Sequence, residues 1–231
     1  MKILSEYKAF TSLYFRMILI LMALILTAVG FFADKIFGIN AALIISALAS
    51  TVNVFIDYYA FGGISARKQR GMEIVRSSFY GRTIIDSALK TDMYIKALLN
   101  LTGFIGFIAG ELYFSEEPGL SPIAVSLVLL LYPVTNLTTR VILFISRRMS
   151  TTMVVQILIT YLASTFNSIL IFIIGSLLPM ELEEFSIIPL IIALAAEVLS
   201  ILMAYILLTD CRKGYRSSFF DNSEKYTDNR L

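Results

Sequence analysis

Six stretches of this sequence run for roughly twenty or more residues with almost no charge: 14–33, 41–62, 93–114, 122–146, 152–178 and 187–208. A helix needs about 20 mostly apolar residues to cross the hydrocarbon layer of a bilayer. The pattern predicts an all-α polytopic membrane protein of six transmembrane helices. Composition agrees. Apolar residues make up 58%, charged residues 16%, and mean hydropathy is +0.80, whereas soluble domains carry about a quarter charged residues. The single Cys211 excludes a disulfide framework within the chain and a four-cysteine zinc site. The absence of histidine removes the usual general base and every imidazole triad. A net charge of +2 argues against nucleic acid as a partner.

Lysine and arginine positions orient the spans, because cytoplasmic loops retain them. With both termini in the cytoplasm, 18 of the 19 basic residues fall on the inner side, Lys96 and Arg140 among them, and only Lys35 falls outside. The outer turns hold Asp34, Glu111, Glu116, Glu117, Glu181, Glu183 and Glu184. A cleaved signal peptide is the rival reading of the first span. The length of the run from Met17 to Phe32 and the bulk of Phe31 and Phe32 disfavour it. Residues 1–208 therefore form a six-span domain that includes a cytoplasmic segment, 63–92. Residues 209–231 form a polar cytoplasmic tail.

That cytoplasmic segment is the long loop of the chain. Gly62-Gly63 ends span two, and Ser65 offers a helix cap. Met72, Val75 and Phe79 share one face at helical spacing, with Arg70, Glu73 and Arg76 elsewhere and Arg82 beyond Gly81. Ile84, Ile85, Ala88 and Leu89 continue an amphipathic pattern to Thr91-Asp92, which reads as the cap of span three. A helix of this kind either lies on the inner leaflet or docks a cytoplasmic partner. The N-terminal piece repeats the theme, with Ile3, Tyr7, Phe10 and Leu13 or Tyr14 on one side.

Polar groups inside the spans carry the remaining information, because they face protein or water rather than lipid. Span two has Ser46, Ser50, Asn53 and Asp57 on one face, and span five has Gln156, Thr160, Ser164 and Asn167 or Ser168 in the same rhythm. Span four has Tyr132, Asn136 and Arg140 beside Pro133, which should kink it. Span three has Asn100, Gly103, Gly106 and Gly110, a surface suited to close helix contact. Asn53, Asp57, Asn136, Arg140, Gln156, Asn167 and Glu197 are the candidate translocation-path residues. Arg140 lies about 9 Å from the cytoplasmic end of its helix and Glu197 about 15 Å in. Depth therefore pairs Asp57 with Arg140 and leaves Glu197 as a neutral or water-facing acid.

The order of parts resembles the six-helix permease subunit of type-2 ABC exporters. An amphipathic N-terminal helix precedes span one, a long basic segment joins spans two and three, and four further spans lead to a short cytoplasmic tail. Phe-Gly-Gly-Ile-Ser at 61–65 and the run Lys68 to Arg82 resemble the part of that family that meets the ATPase. The resemblance covers nearly the whole chain by layout rather than by a signature motif. The short Leu178 to Ser186 connection departs from it, since the family often carries re-entrant helices there.

The resemblance implies a second permease copy or a paralogous permease, and separate ABC ATPase subunits that hold ATP and Mg. It also implies that Arg70, Met72, Val75, Arg76, Phe79 and Arg82 couple to those subunits in the plasma membrane. This chain holds no phosphate-binding Gly-x-x-x-x-Gly-Lys-Ser/Thr loop, so no cofactor and no enzymatic activity are expected of it. The alternatives are a stand-alone immunity or resistance factor of the membrane and a proton-coupled carrier built around Glu197. The carrier lacks a visible inverted repeat.

Overall fold

A computed structural model describes residues 7–8, 11, 13–60, 81–114, 121–149, 158, 161–162, 165, 169 and 190–209, which are helical almost throughout and contain no strand. Five long helices account for nearly all of them: α1 Leu13–Phe37, α2 Ala41–Ala60, α3 Gly81–Phe114, α4 Pro122–Met149 and α5 Leu190–Thr209. Four are long and apolar enough to cross a membrane, namely α1, Asp86–Phe114 of α3, Pro122–Ile145 of α4, and α5. In α2 the apolar stretch, Ala41–Val54, is shorter. The sequence places a further span at 152–178, which lies almost wholly outside the described residues.

The outward surface is that of a molecule solvated by lipid. Leu190, Ile191, Leu194, Val198, Leu199 and Leu202 of α5 are exposed, as are Met17, Ile20, Leu21 and Leu24 of α1. Contiguous apolar surface on this scale is foreign to soluble monomers and consistent with a membrane-embedded protein.

A tight turn folds α2 back on α1. Gly38 takes φ +54° at the start of the short 3-10 turn Gly38–Asn40. This left-handed conformation ends helices readily and favours glycine. Above that turn Lys35 lies 5.4 Å from the centre of the Phe114 ring, at the end where Phe31, Tyr113 and Phe114 also gather.

Helix α3 is one continuous rod of 34 residues, about 51 Å at 1.5 Å per residue. The sequence reading divides it at Thr91-Asp92, and the structure does not. Thr91 Oγ1 donates to the Ser87 carbonyl at 2.8 Å, a bond made within a running helix rather than a cap. A hydrocarbon layer is about 30 Å thick, so the first turns of α3 extend past it. Pro133 likewise sits inside α4 without ending it.

α1 lies parallel to α3 at backbone contact. A Cβ placed on Gly106 would meet the Thr27 carbonyl oxygen at 2.2 Å, and one on Gly110 the Phe31 oxygen at 2.5 Å. One on Gly30 would meet the Gly103 oxygen at 2.3 Å. The small-residue surface predicted for span three is therefore the seat of α1. The apolar core gathers Ile45, Phe104, Phe107, Leu127 and Leu131 toward the Gly38 end, and Phe15, Leu26, Ile56, Leu89 and Leu99 toward the other. Tyr7 joins the second group, with Thr11 buried and bonded to its carbonyl, while Leu13 and Tyr14 point outward. The N-terminal stripe is thus split: Tyr7 belongs to the bundle and Leu13 and Tyr14 to its surface.

α4 and α5 run in the same direction. Arg140 meets Ser200, and a helical turn or two further on Leu143 shares a cluster with Leu207. Met149 and Leu190 consequently stand at opposite ends of the bundle.

Candidate functional site

The faces of α2, α3, α4 and α5 that turn toward one another carry a line of polar side chains. It begins at mid-helix, where the hydroxyls of Ser46 and Thr135 bond directly, both fully buried. Two turns on, amides cross three helices. Asn53 Nδ2 donates to Asn100 Oδ1 and to the Ala49 carbonyl, and Asn100 Nδ2 donates to Asn136 Oδ1 at 2.8 Å. One further turn brings charge. Lys96 of α3 donates to Asp57 of α2 and to Asp92 of its own helix, and the exposures of all three residues are 4% or less.

Two carboxylates and one ammonium in so dry a place are expensive. Desolvation offsets most of their mutual attraction, and a well-packed apolar interface of the same size is often as stable or more so. Tyr7 closes the end of this cluster from the N-terminal segment. Burial, with Asp92 and Asp57 adding to it, pushes its phenol well above its ordinary value, so the ring sits there neutral.

Arg140 stands beside the cluster without joining it. Its Nη1 donates to Ser200 Oγ at 2.6 Å, and Glu197, one turn earlier on α5, lies within its electrostatic reach. A small pocket lined by Asp92, Lys96, Asn100, Asn136, Thr139 and Arg140 has about 10 Å³ open to the centre of a water molecule, close to what one water requires. Thr139 Oγ1, Asn53 Oδ1 and Glu197 Oε2 are buried and make no hydrogen bond among the described residues.

The expected Asp57–Arg140 pair is therefore corrected. α2 runs antiparallel to α3, which sets Asn53 against Asn100 and Asp57 against Lys96. α2 runs parallel to α4, with Ser46 opposite Thr135 and Asn53 joined to Asn136 through Asn100. Arg140 reaches the same pocket as Lys96, but its guanidinium bonds Ser200 of α5 while Lys96 takes Asp57.

Lys96 is the residue that sequence reasoning missed. Its position at the start of a span groups it with the cytoplasmic basic residues, whereas it is buried. Two signals point to it: the i, i+4 spacing from Asp92 and the shared face with Asn100. Of the other predicted path residues, the structure brings Asn53 and Asn136 together through Asn100 and sets Glu197 beside Arg140. Gln156 and Asn167 lie outside the described residues, as do Arg70, Met72, Val75, Arg76 and Phe79. Arg82 falls in the first turn of α3. Among the described residues no three His, Cys, Asp or Glu side chains gather as a metal site would. Neither a family model, nor a curated protein, nor a solved structure matches this chain, and what the seam does rests on its own chemistry.

Proposed function

We propose that this chain is the membrane-spanning permease subunit of an ATP-driven exporter, of six spans with both ends in the cytoplasm, and that the seam between α2, α3, α4 and α5 belongs to its translocation path. The observation that carries the reading is the buried Asp57–Lys96–Asp92 cluster together with the amide chain above it. Helix cohesion alone is served as well by apolar or small residues. Ionisable groups within a bilayer most often mark a path for ions or substrate.

Two further observations support it. The parallel run of α4 and α5 calls for a crossing segment between them, which the apolar stretch 152–178 supplies. The continuity of α3 offers a lever. A push on its turns near Gly81 would be carried along one rigid rod to Asp92, Lys96 and Asn100. On this reading, ATP-driven movement of partner subunits enters through segment 63–92 and shifts the balance between two helix arrangements. The acidic outer turns and apolar α1 and α5 faces would meet water and lipid, and a second permease copy completes the path. The cargo is peptide-, drug- or lipid-like.

The test is to purify the tagged full chain from its own cells and identify what accompanies it. A separate ATPase should co-purify, hydrolyse ATP in the complex, and be lost from the Phe79→Ala variant with the bundle still inserted. Recovery of the chain without an ATPase, from cells that nonetheless depend on it for protection against a membrane-active peptide, would favour the stand-alone factor instead.

A further inference from the structure

Among the described side chains of the long helices, the exposed tyrosines are Tyr14 on α1, Tyr94 and Tyr113 on α3, and Tyr205 on α5. Tyrosine gathers where hydrocarbon gives way to headgroups, because its ring is apolar and its hydroxyl wants water. Tyr94 and Tyr113 are 19 residues apart, about 28 Å at 1.5 Å per residue. The exposed residues of α3 between them are Leu98, Ile105, Ala109 and Leu112, all apolar. On α1 the run from Tyr14 to the exposed Phe32 is 18 residues, about 27 Å. Both lengths match a hydrocarbon layer of about 30 Å.

The two runs are in step. At one end the Phe31 ring lies 5.6 Å from that of Tyr113, 5.1 Å from that of Phe114 and 5.2 Å from that of Phe32. At the other end Phe15 shares an apolar cluster with Leu89 and Leu99, which bracket Tyr94. α5 joins at this second level. Its Leu207 clusters with Met93, the neighbour of Tyr94, and Tyr205 is two residues from Leu207. Tyr14, Tyr94 and Tyr205 therefore share one level, and Phe32 and Tyr113 share another.

Exposed charge stands beyond each level. Lys35 lies past Phe32, over the Phe114 ring. Lys90 lies one turn before Tyr94 on the same face of α3, at the depth that phospholipid phosphates would occupy.

We propose that Tyr14, Tyr94 and Tyr205 form a contact surface for phospholipid headgroups and mark one edge of the hydrocarbon layer. Asp92 and Lys96 flank Tyr94 on its own helix, so the Asp57–Lys96–Asp92 cluster is level with that edge rather than with the bilayer centre. It stands at one mouth of the seam, and the amides of Asn53, Asn100 and Asn136 lead inward from it. The centre falls midway between Tyr94 and Tyr113, beside Gly103 and Phe104. Centring the layer on the apolar stretch Asp86–Phe114 would instead put Asn100 at mid-depth. Neither the exporter reading nor the orientation of the chain enters here.

The test uses the full chain in phospholipid nanodiscs, spin-labelled at one position at a time in a Cys211→Ser background. The variants are Tyr94→Cys, Leu98→Cys, Ile105→Cys, Ala109→Cys and Tyr113→Cys, all at exposed sites. Collision of each label with oxygen, compared with a water-soluble nickel chelate, reads its depth. The label at 105 should be deepest, and those at 98 and 109 should agree within about 3 Å, the rise of two residues. Labels at 94 and 113 should be the shallowest and meet the chelate most. A maximum at 98, or a label at 94 as deep as that at 105, overturns the proposal. Should Tyr94→Cys or Tyr113→Cys fail to insert, the order of 98, 105 and 109 decides.

Discussion

Along the second half of α3, Gly106 and Gly110 let α1 approach until backbone meets backbone; earlier on the same helix, Asp92, Lys96 and Asn100 hold α2 and α4 through charges and amides. The glycine face is fully accounted for by van der Waals contact, the ordinary means by which helices associate in lipid. The charged face is not. It gathers groups whose desolvation consumes most of what their attraction returns, and it leaves Thr139 Oγ1 and Asn53 Oδ1 without hydrogen bonds among the described residues. One helix thus separates a surface built for cohesion from a surface held in readiness for something polar.

Removing one partner of the charged face should produce the largest effect. Lys96→Met strands two carboxylates in the bundle and should destabilise the protein by about 3–5 kcal/mol, read as lost monodisperse yield in detergent. Asp57→Asn and Asp92→Asn added to it should restore most of that loss. If the single variant matches the wild type, the cluster is wet rather than buried, and the contrast between the faces fails.

The glycine face should break next. Gly106→Val places branched carbon against the Thr27 carbonyl, where even a Cβ would lie at 2.2 Å, and overpacking of this kind costs about 1–3 kcal/mol or more. Thermal denaturation of the purified variant measures it. Tolerance of valine would mean that α1 stands farther from α3 than the contact described above.

Depth within the charged face can be sharpened by a double-mutant cycle. Asp57→Ala and Arg140→Ala should couple only weakly, since Asp57 bonds Lys96 and Arg140 bonds Ser200. Asp57→Ala with Lys96→Ala should show strong coupling. The reverse pattern would restore the pair that depth alone suggested.

The smallest effect concerns Tyr7 at the edge of the charged face. Its phenol titrates above the ordinary value of 10.0 in the folded chain, so folding favours the protonated ring. The contribution is complete below about pH 10 and is lost as pH rises toward the folded value. Melting temperatures from pH 8 to about 11 should therefore fall more steeply for the wild type than for Tyr7→Phe. Parallel curves would place Tyr7 in water.

The all-helical architecture was legible because apolar run length is a one-dimensional property, and a bilayer imposes it on the sequence directly. The glycine face was legible for a similar reason: Gly103, Gly106 and Gly110 recur near the helical period, and close contact follows from their size alone. Asn53, Asn136, Arg140 and Glu197 could be named as interior because polarity within a span is itself the signal. Their partners could not be named. Lys96 sits where a cytoplasmic lysine would also sit, and composition is the same in both cases.

The sequence by itself thus determined that the chain is helical, how long its apolar runs are and which residues are too polar for lipid. The tertiary structure decided who meets whom: Asp57 with Lys96 instead of Arg140, Arg140 with Ser200, and Tyr7 inside rather than at the surface. The reason is physical. Periodicity fixes the face on which a side chain stands, but the axial offset between neighbouring helices is set by where their backbones can approach most closely. At Gly30, Gly106 and Gly110 that approach is settled between α1 and α3, while the pairing of Asp57 with Lys96 follows the antiparallel register of α2 on α3 that also joins Asn53 to Asn100.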